Sequence, residues 1–69
     1  MPRAKTETFG AALRRLRAAA GLTQGELAER AATGREHVAD LERGAKEPGL
    51  DLLRRLVAAL GCDPREFFP

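Results

Sequence analysis

The sequence holds one cysteine, one histidine and no tryptophan or tyrosine among its 69 residues. A lone cysteine cannot form an internal disulfide, and no cluster of cysteine and histidine suggests a metal site. No apolar run approaches the roughly 20 residues that a membrane span needs, and no apolar signal-peptide segment follows the basic first residues. These absences predict a cytoplasmic protein without a membrane partner, a metal or a cofactor.

Catalytic constellations are also missing. The sequence has no pair of nucleophile and base and no phosphate-binding glycine loop, and its only histidine is His37. We therefore expect neither an enzyme nor a small-molecule substrate. A chain of this length forms one domain at most. We therefore expect no separate ligand-sensing domain, and control would come from the protein's own concentration or from a partner protein.

Positive charge is concentrated near the amino terminus. Residues 1–22 carry five basic residues against one acid, a balance of +4, whereas residues 23–49 carry four against six and residues 50–69 are neutral. We expect residues 1–7 to form a flexible basic arm and residues 8–69 the folded domain. A surface that faces phosphates would then depend on the arm and on a few arginines.

Helix-forming residues dominate the chain. Alanine, leucine, arginine and glutamate are abundant and β-branched residues are nearly absent, which is typical of helices. Turn signals divide the chain into five pieces, so we predict an all-α, compact bundle of five short helices. Their expected extents are about Thr8 to Ala20, Thr23 to the break at Ala32–Gly34, about Arg35 to Glu42, about Leu50 to Leu60, and a last turn from Asp63.

Apolar residues at helical spacing predict the core. Two capping boxes are expected as well, Thr23 with Glu26 and Asp63 with Glu66. In the fourth helix, Leu52 and Ala59 widen the apolar face. The residues expected to point inward are Phe9, Leu13, Leu16 and Ala20; Leu27, Ala28 and Ala31; Val38 and Leu41; and Leu50, Leu53, Leu56, Val57 and Leu60.

Two short helices joined by a three-residue break have the geometry of a helix-turn-helix, whose second helix can lie in the major groove of DNA. From Phe9 to Phe68 the chain resembles the phage-repressor/Cro-like family, with its lambda-repressor-like fold. The residues that carry the resemblance are Leu22-Thr23-Gln24-Gly25-Glu26-Leu27-Ala28-Glu29-Arg30-Ala31, Val38, Leu41-Glu42-Arg43-Gly44, Pro48 and Leu60-Gly61-Cys62-Asp63-Pro64.

The resemblance implies a sequence-specific transcriptional regulator that binds double-stranded DNA as a homodimer on a palindromic operator. It also implies individual roles. His37 flanks the base-facing residues and is either a phosphate contact or an ordinary surface residue. The implied roles are base contacts for Arg35, Glu36 and Asp40, phosphate contacts for Gln24, His37, Arg43 and Lys46, and an ion pair between Arg17 and Glu42.

The sequence departs from the family pattern in two places. Ala32, Thr33 and Gly34 stand where the family has glycine, an apolar residue and a serine- or threonine-type cap. Glu36 and Asp40 put two acids four residues apart on the base-facing side, where they repel phosphates but accept hydrogen bonds from cytosine. A G·C-containing operator is one hypothesis. The alternative is a protein-interaction module, or an antitoxin-like partner-binding protein, with weak affinity for DNA.

Some residues are expected to lie away from the DNA. Cys62 is expected in the core, and a solvated surface is expected for Arg14, Arg15, Arg54 and Arg55. Phe67 and Phe68 are adjacent, so only one of them faces the core. The other would join Leu52, Leu56 and Ala59 in an apolar dimer interface across a two-fold axis.

Overall fold

The computed structural model describes residues 7–67, and within that range it contains helices and no β-strand. The α-helices are α1 (Phe9–Ala19), α2 (Gln24–Arg30), α3 (Arg35–Arg43) and α4 (Leu50–Leu60), followed by a 3₁₀ turn, Pro64–Phe67. The all-α class is confirmed. Of the predicted basic arm, residues 1–6 lie outside the described range, and Glu7 pairs with Arg15 at 2.9 Å.

The prediction of five helices is wrong in its last member. The backbone N–H of Glu66 donates to the carbonyl of Asp63 at 2.9 Å, which is the i to i+3 bond of a 3₁₀ helix. The Asp63 carboxylate accepts from the backbone N–H of Arg65 at 2.9 Å. Asp63 therefore caps the segment through Arg65 rather than through the predicted box with Glu66, and the segment makes a single tight turn.

The other helix boundaries follow local signals. Thr8 accepts a hydrogen bond from the amide of Ala11 at 3.1 Å and begins α1. Thr23 and Glu26 form the predicted capping box, with reciprocal bonds of 3.0 and 2.9 Å at the start of α2. These bonds satisfy amides that have no partner inside the helix. Gly44 and Gly61 end α3 and α4 with positive φ angles.

One apolar cluster joins all four helices and the 3₁₀ turn. The Phe9 ring stacks on that of Phe67, with centroids 4.9 Å apart. The predicted burial of Val38 and Leu41 in α3 is confirmed, since both are 0% exposed. The buried apolar residues are Ala12, Leu13, Leu22, Leu27, Ala28, Ala31, Val38, Leu41, Leu52, Leu56 and Phe67.

The rotation of α4 differs from the prediction. Leu50 was expected inside but is 65% exposed, whereas Leu52 is 7% exposed and Leu56 0%. Apolar residues surround most of this helix, so their spacing alone did not determine which side packs on α2. A smaller error occurs at the end of α1, where the predicted inward residue Ala20 is the exposed C-cap.

Gly10 brings α1 unusually close to the end of α3. A Cβ atom built on Gly10 would lie 2.5 Å from the carbonyl oxygens of both Leu41 and Glu42. Real Cβ atoms do not approach backbone oxygen so closely, so any larger residue would push the helices apart. This contact helps to determine where α3 lies relative to α1, and nothing in the local sequence of α1 indicated it.

Candidate nucleic-acid interface

The third helix lies across α1 and α2 with one face buried and the other open. Val38 and Leu41 anchor the buried face in the core. On the other side Arg35 and Glu36 are exposed, and His37 and Asp40 are half-buried. The residues assigned to base contacts from the sequence therefore share the accessible side of one well-anchored helix.

The structure brings Arg17 and Glu42 together. Nε of Arg17 donates to one carboxylate oxygen of Glu42 at 2.6 Å and Nη2 donates to the other at 3.1 Å. Nη1 of Arg17 also donates to the carbonyl of Leu22 at 2.8 Å. The two side chains are 15% and 5% exposed. This bidentate contact ties α1 to the end of α3 and to the loop before α2.

Gln24 joins this ion pair, which the sequence did not indicate. Its Nε2 donates to Glu42 at 3.0 Å. Burial disfavours the charged form of Glu42, but the hydrogen bonds from Arg17 and Gln24 and the positive charges of Arg17 and Arg14 outweigh it, so the pKa of Glu42 is lowered. The predicted phosphate contact Gln24 is thus held in place by the carboxylate of α3.

A polar cleft opens where α1, the start of α2 and α3 meet. It brings Arg14, assigned to a solvated surface from the sequence, beside two residues assigned to the interface. The signal for this was the spacing of Arg14 and Arg17, one helical turn apart. The lining residues are Arg14, Arg17, Gln24, Ala39, Glu42 and Arg43.

The remaining assigned phosphate contacts are spread along α3 and the loop after it. Arg43 is 65% exposed and its guanidinium contacts the Asp40 carboxylate one turn earlier. Lys46 is exposed in the loop, and His37 is half-buried at the start of α3. A residue assigned to bases and a residue assigned to phosphates therefore neutralise each other in the free protein.

The dimer interface expected from the sequence needs correction. Leu52 and Leu56 are buried in the core of a single chain, so they have no surface left to give to a partner. Phe67 is the inward phenylalanine, since it is 2% exposed. Ala59 is half-buried, and Phe68 lies outside the described residues.

Arg55, which was expected on a solvated surface, is half-buried instead. Its Nη1 donates to the carbonyls of Ala31 and Ala32 at 3.1 and 2.8 Å. The only sequence signal for this contact was indirect: Ala32 stands in the turn where the family has glycine.

Residues 7–67 contain no group of three or more histidine, cysteine and acidic residues arranged to hold a metal ion. Cys62 packs against the core, and burial raises the pKa of its thiol. None of the helices in this range has the length and apolar character required to cross a bilayer.

Residues 8–67 match the family model of a helix-turn-helix domain. The chain belongs to the helix-turn-helix domain family. This agrees with the resemblance to Cro/C1-type repressors found in the sequence. By family, the chain is a DNA-binding transcription regulator and not an enzyme. Comparison with curated protein sequences gave no match.

Solved structures with the same helix-turn-helix fold include three regulators. The restriction-modification controller protein C.AhdI from Aeromonas hydrophila is 42% identical over 87% of this chain and 91% of its own, with a TM-score of 0.84. The clp gene regulator ClgR from Corynebacterium glutamicum is 41% identical over 86% and 77%, with a TM-score of 0.80. The P22 c2 repressor, solved with a synthetic operator, is 26% identical over 90% and 94%, with a TM-score of 0.83.

Proposed function

We propose that this regulator binds a palindromic operator as a homodimer, with α3 of each protomer in the major groove. The observation that carries the proposal is the division of α3 into a fully buried side, with Val38 and Leu41, and an accessible side, with Arg35 and Glu36. A recognition helix needs both, because the buried side holds it rigidly and the other side contacts base edges.

Arg35, Glu36 and Asp40 are proposed as the base contacts. An arginine at the start of the helix suits guanine, and the acids suit the amino group of cytosine. Gln24, His37, Arg43 and Lys46 are proposed to contact phosphates. The start of α2 favours the phosphate role of Gln24, since backbone N–H groups and the helix dipole attract an anion there.

Selection of bound duplexes from a random DNA pool, followed by Glu36→Gln and Asp40→Asn, tests the base contacts. We expect each change to alter the preferred base at one position of each half-site. Uniform weakening without any change in preference would contradict the assignment. Affinity for the selected duplex should fall steeply with salt, whereas absence of binding at low salt, with a tight protein partner, would support the interaction-module alternative.

Two-fold symmetry is proposed because one recognition helix reads only a few base pairs, and two helices about 34 Å apart supply the required specificity. The interface is tested by sedimentation of the wild type, Leu50→Glu and Ala59→Glu, which place a charge on opposite sides of α4. Loss of the dimer in one variant alone locates the interface on that side. A wild-type monomer at all concentrations, with and without operator, would contradict the homodimer.

A further inference from the structure

The carboxyl end of α2 is held by a side chain from α4. Nη1 of Arg55 donates to the carbonyl of Ala31 at 3.1 Å and to that of Ala32 at 2.8 Å. Its Nε lies 3.2 Å from a carboxylate oxygen of Asp51, one turn earlier on α4. A cation at this point also faces the negative end of the α2 dipole. Arg55 therefore makes a tertiary contact to the turn of the helix-turn-helix.

The turn that receives these bonds contains a strained residue. Ala32 has a φ of +57° and is the one non-glycine residue with positive φ between residues 7 and 67. In the corresponding conformation α1, α3 and α4 have Gly21, Gly44 and Gly61. The Cβ atom of alanine crowds the following carbonyl in this region. The surrounding structure must hold Ala32 there.

Local backbone bonds account for part of the turn only. The N–H of Thr33 donates to the carbonyl of Ala28 at 2.8 Å, and that of Ala32 donates to Glu29 at 3.2 Å. This is the Schellman arrangement, which satisfies two of the last four carbonyls of a helix and its cap. The carbonyls of Ala31 and Ala32, which follow Arg30, accept neither of these two bonds, and they are the two that Arg55 binds.

The start of α3 also lacks a local determinant. Gly34 is its N-cap and makes no side-chain capping bond, whereas α1 and α2 begin with capping threonines. The segment between α2 and α3 thus has neither glycine at the positive-φ position nor a capping side chain. These are the two features that usually define such a turn from within the sequence.

We propose that Arg55 is a positioning residue for the recognition helix: its guanidinium holds the turn at Ala32 and thereby the angle between α2 and α3. The consequence for DNA binding rests on the proposed function. The consequence for the turn does not, since it follows from the contacts within one chain. Arg54, the exposed neighbour on α4, provides a matched control.

Amide hydrogen exchange measured by NMR tests the structural part. Arg55→Met removes the donor and keeps an apolar stem. We expect the amides of Ala32 and Thr33 to exchange at least about tenfold faster, relative to amides in the middle of α1, because charged hydrogen bonds are lost. Arg54→Met should leave this ratio unchanged. Adding Ala32→Gly to Arg55→Met should restore protection, since glycine accepts positive φ without strain.

The DNA-binding part uses the duplex selected from the random pool, at a temperature at which every variant is folded. Arg55→Met should weaken binding about tenfold, Arg54→Met should have at most a small effect, and Ala32→Gly should restore much of the loss. Equal acceleration in the turn and in α1, or no rescue by Ala32→Gly, would overturn the positioning role. A wild type that binds no duplex would contradict the proposed function, while the exchange ratio would still decide the role of Arg55.

Discussion

The guanidinium of Arg17 holds the carboxylate of Glu42 through two hydrogen bonds of 2.6 and 3.1 Å, so the last turn of the first helix is fastened to the end of the third. Gly10 of α1 faces the carbonyl oxygens of Leu41 and Glu42, and its lack of a side chain allows the backbones of α1 and α3 to approach. The ion pair and the glycine together place α3 against α1, and each can be tested separately.

Removing the arginine should destabilise the fold strongly. Arg17→Ala leaves Glu42 charged, with Gln24 as the remaining side-chain donor to its carboxylate. Breaking a buried pair from one side is costly, and we expect a loss of about 3 kcal/mol in the free energy of unfolding. Arg14→Ala, one turn earlier and exposed, should cost at most about 0.5 kcal/mol. Urea denaturation measures both, and equal losses would contradict a structural role for the pair.

Acid should weaken the contribution of Glu42. Its pKa is lowered in the folded protein from the ordinary value of 4.5, so its contribution is complete above that value and is lost as the pH falls through the folded pKa. We expect the difference in unfolding free energy between the wild type and Glu42→Gln to shrink as the pH falls from 7 to 3. A difference that is constant over this range would show that ionisation of Glu42 adds nothing.

A methyl group on Gly10 should force α1 and α3 apart. Gly10→Ala is expected to lower the free energy of unfolding by about 2 kcal/mol, the cost of overpacking against atoms that cannot move aside. Gly25→Ala is the control, because its nearest contact would be Arg35 Cδ at 3.7 Å. That change should be neutral or stabilising, since alanine favours the helix. Thermal unfolding distinguishes the two, and similar Tm values would refute the close approach.

The contact between Asp40 and Arg43 should reduce binding to non-operator DNA. Asp40→Asn removes a negative charge and also releases Arg43, so we expect higher affinity and a salt slope larger by about 1. Glu36→Gln removes the same charge from an exposed residue of the same helix. In an Arg43→Gln background the effect of Asp40→Asn should shrink to that of Glu36→Gln. Identical effects in both backgrounds would mean that only net charge matters.

Much of the fold was predictable because its signals are local. Each of the capping bonds of α1 and α2 joins residues three apart along the chain, Thr8 with Ala11 and Thr23 with Glu26. Gly44 and Gly61 end their helices by their own backbone freedom. The last segment shows the limit of such signals. The cap at Asp63 was recognised, but four residues sufficed for a 3₁₀ turn and not for a fifth α-helix.

The sequence by itself determined approximately where α1 to α4 begin and end, since these limits depend on neighbours in the chain, and the family resemblance indicated that α2 and α3 form a helix-turn-helix. Only the tertiary structure decided the rest. Packing sets the rotation of α4 that exposes Leu50. The approach at Gly10 and the contacts of Gln24 and Arg55 join segments that are distant along the chain. Such contacts depend on how the helices pack, and no spacing within one helix contains that information.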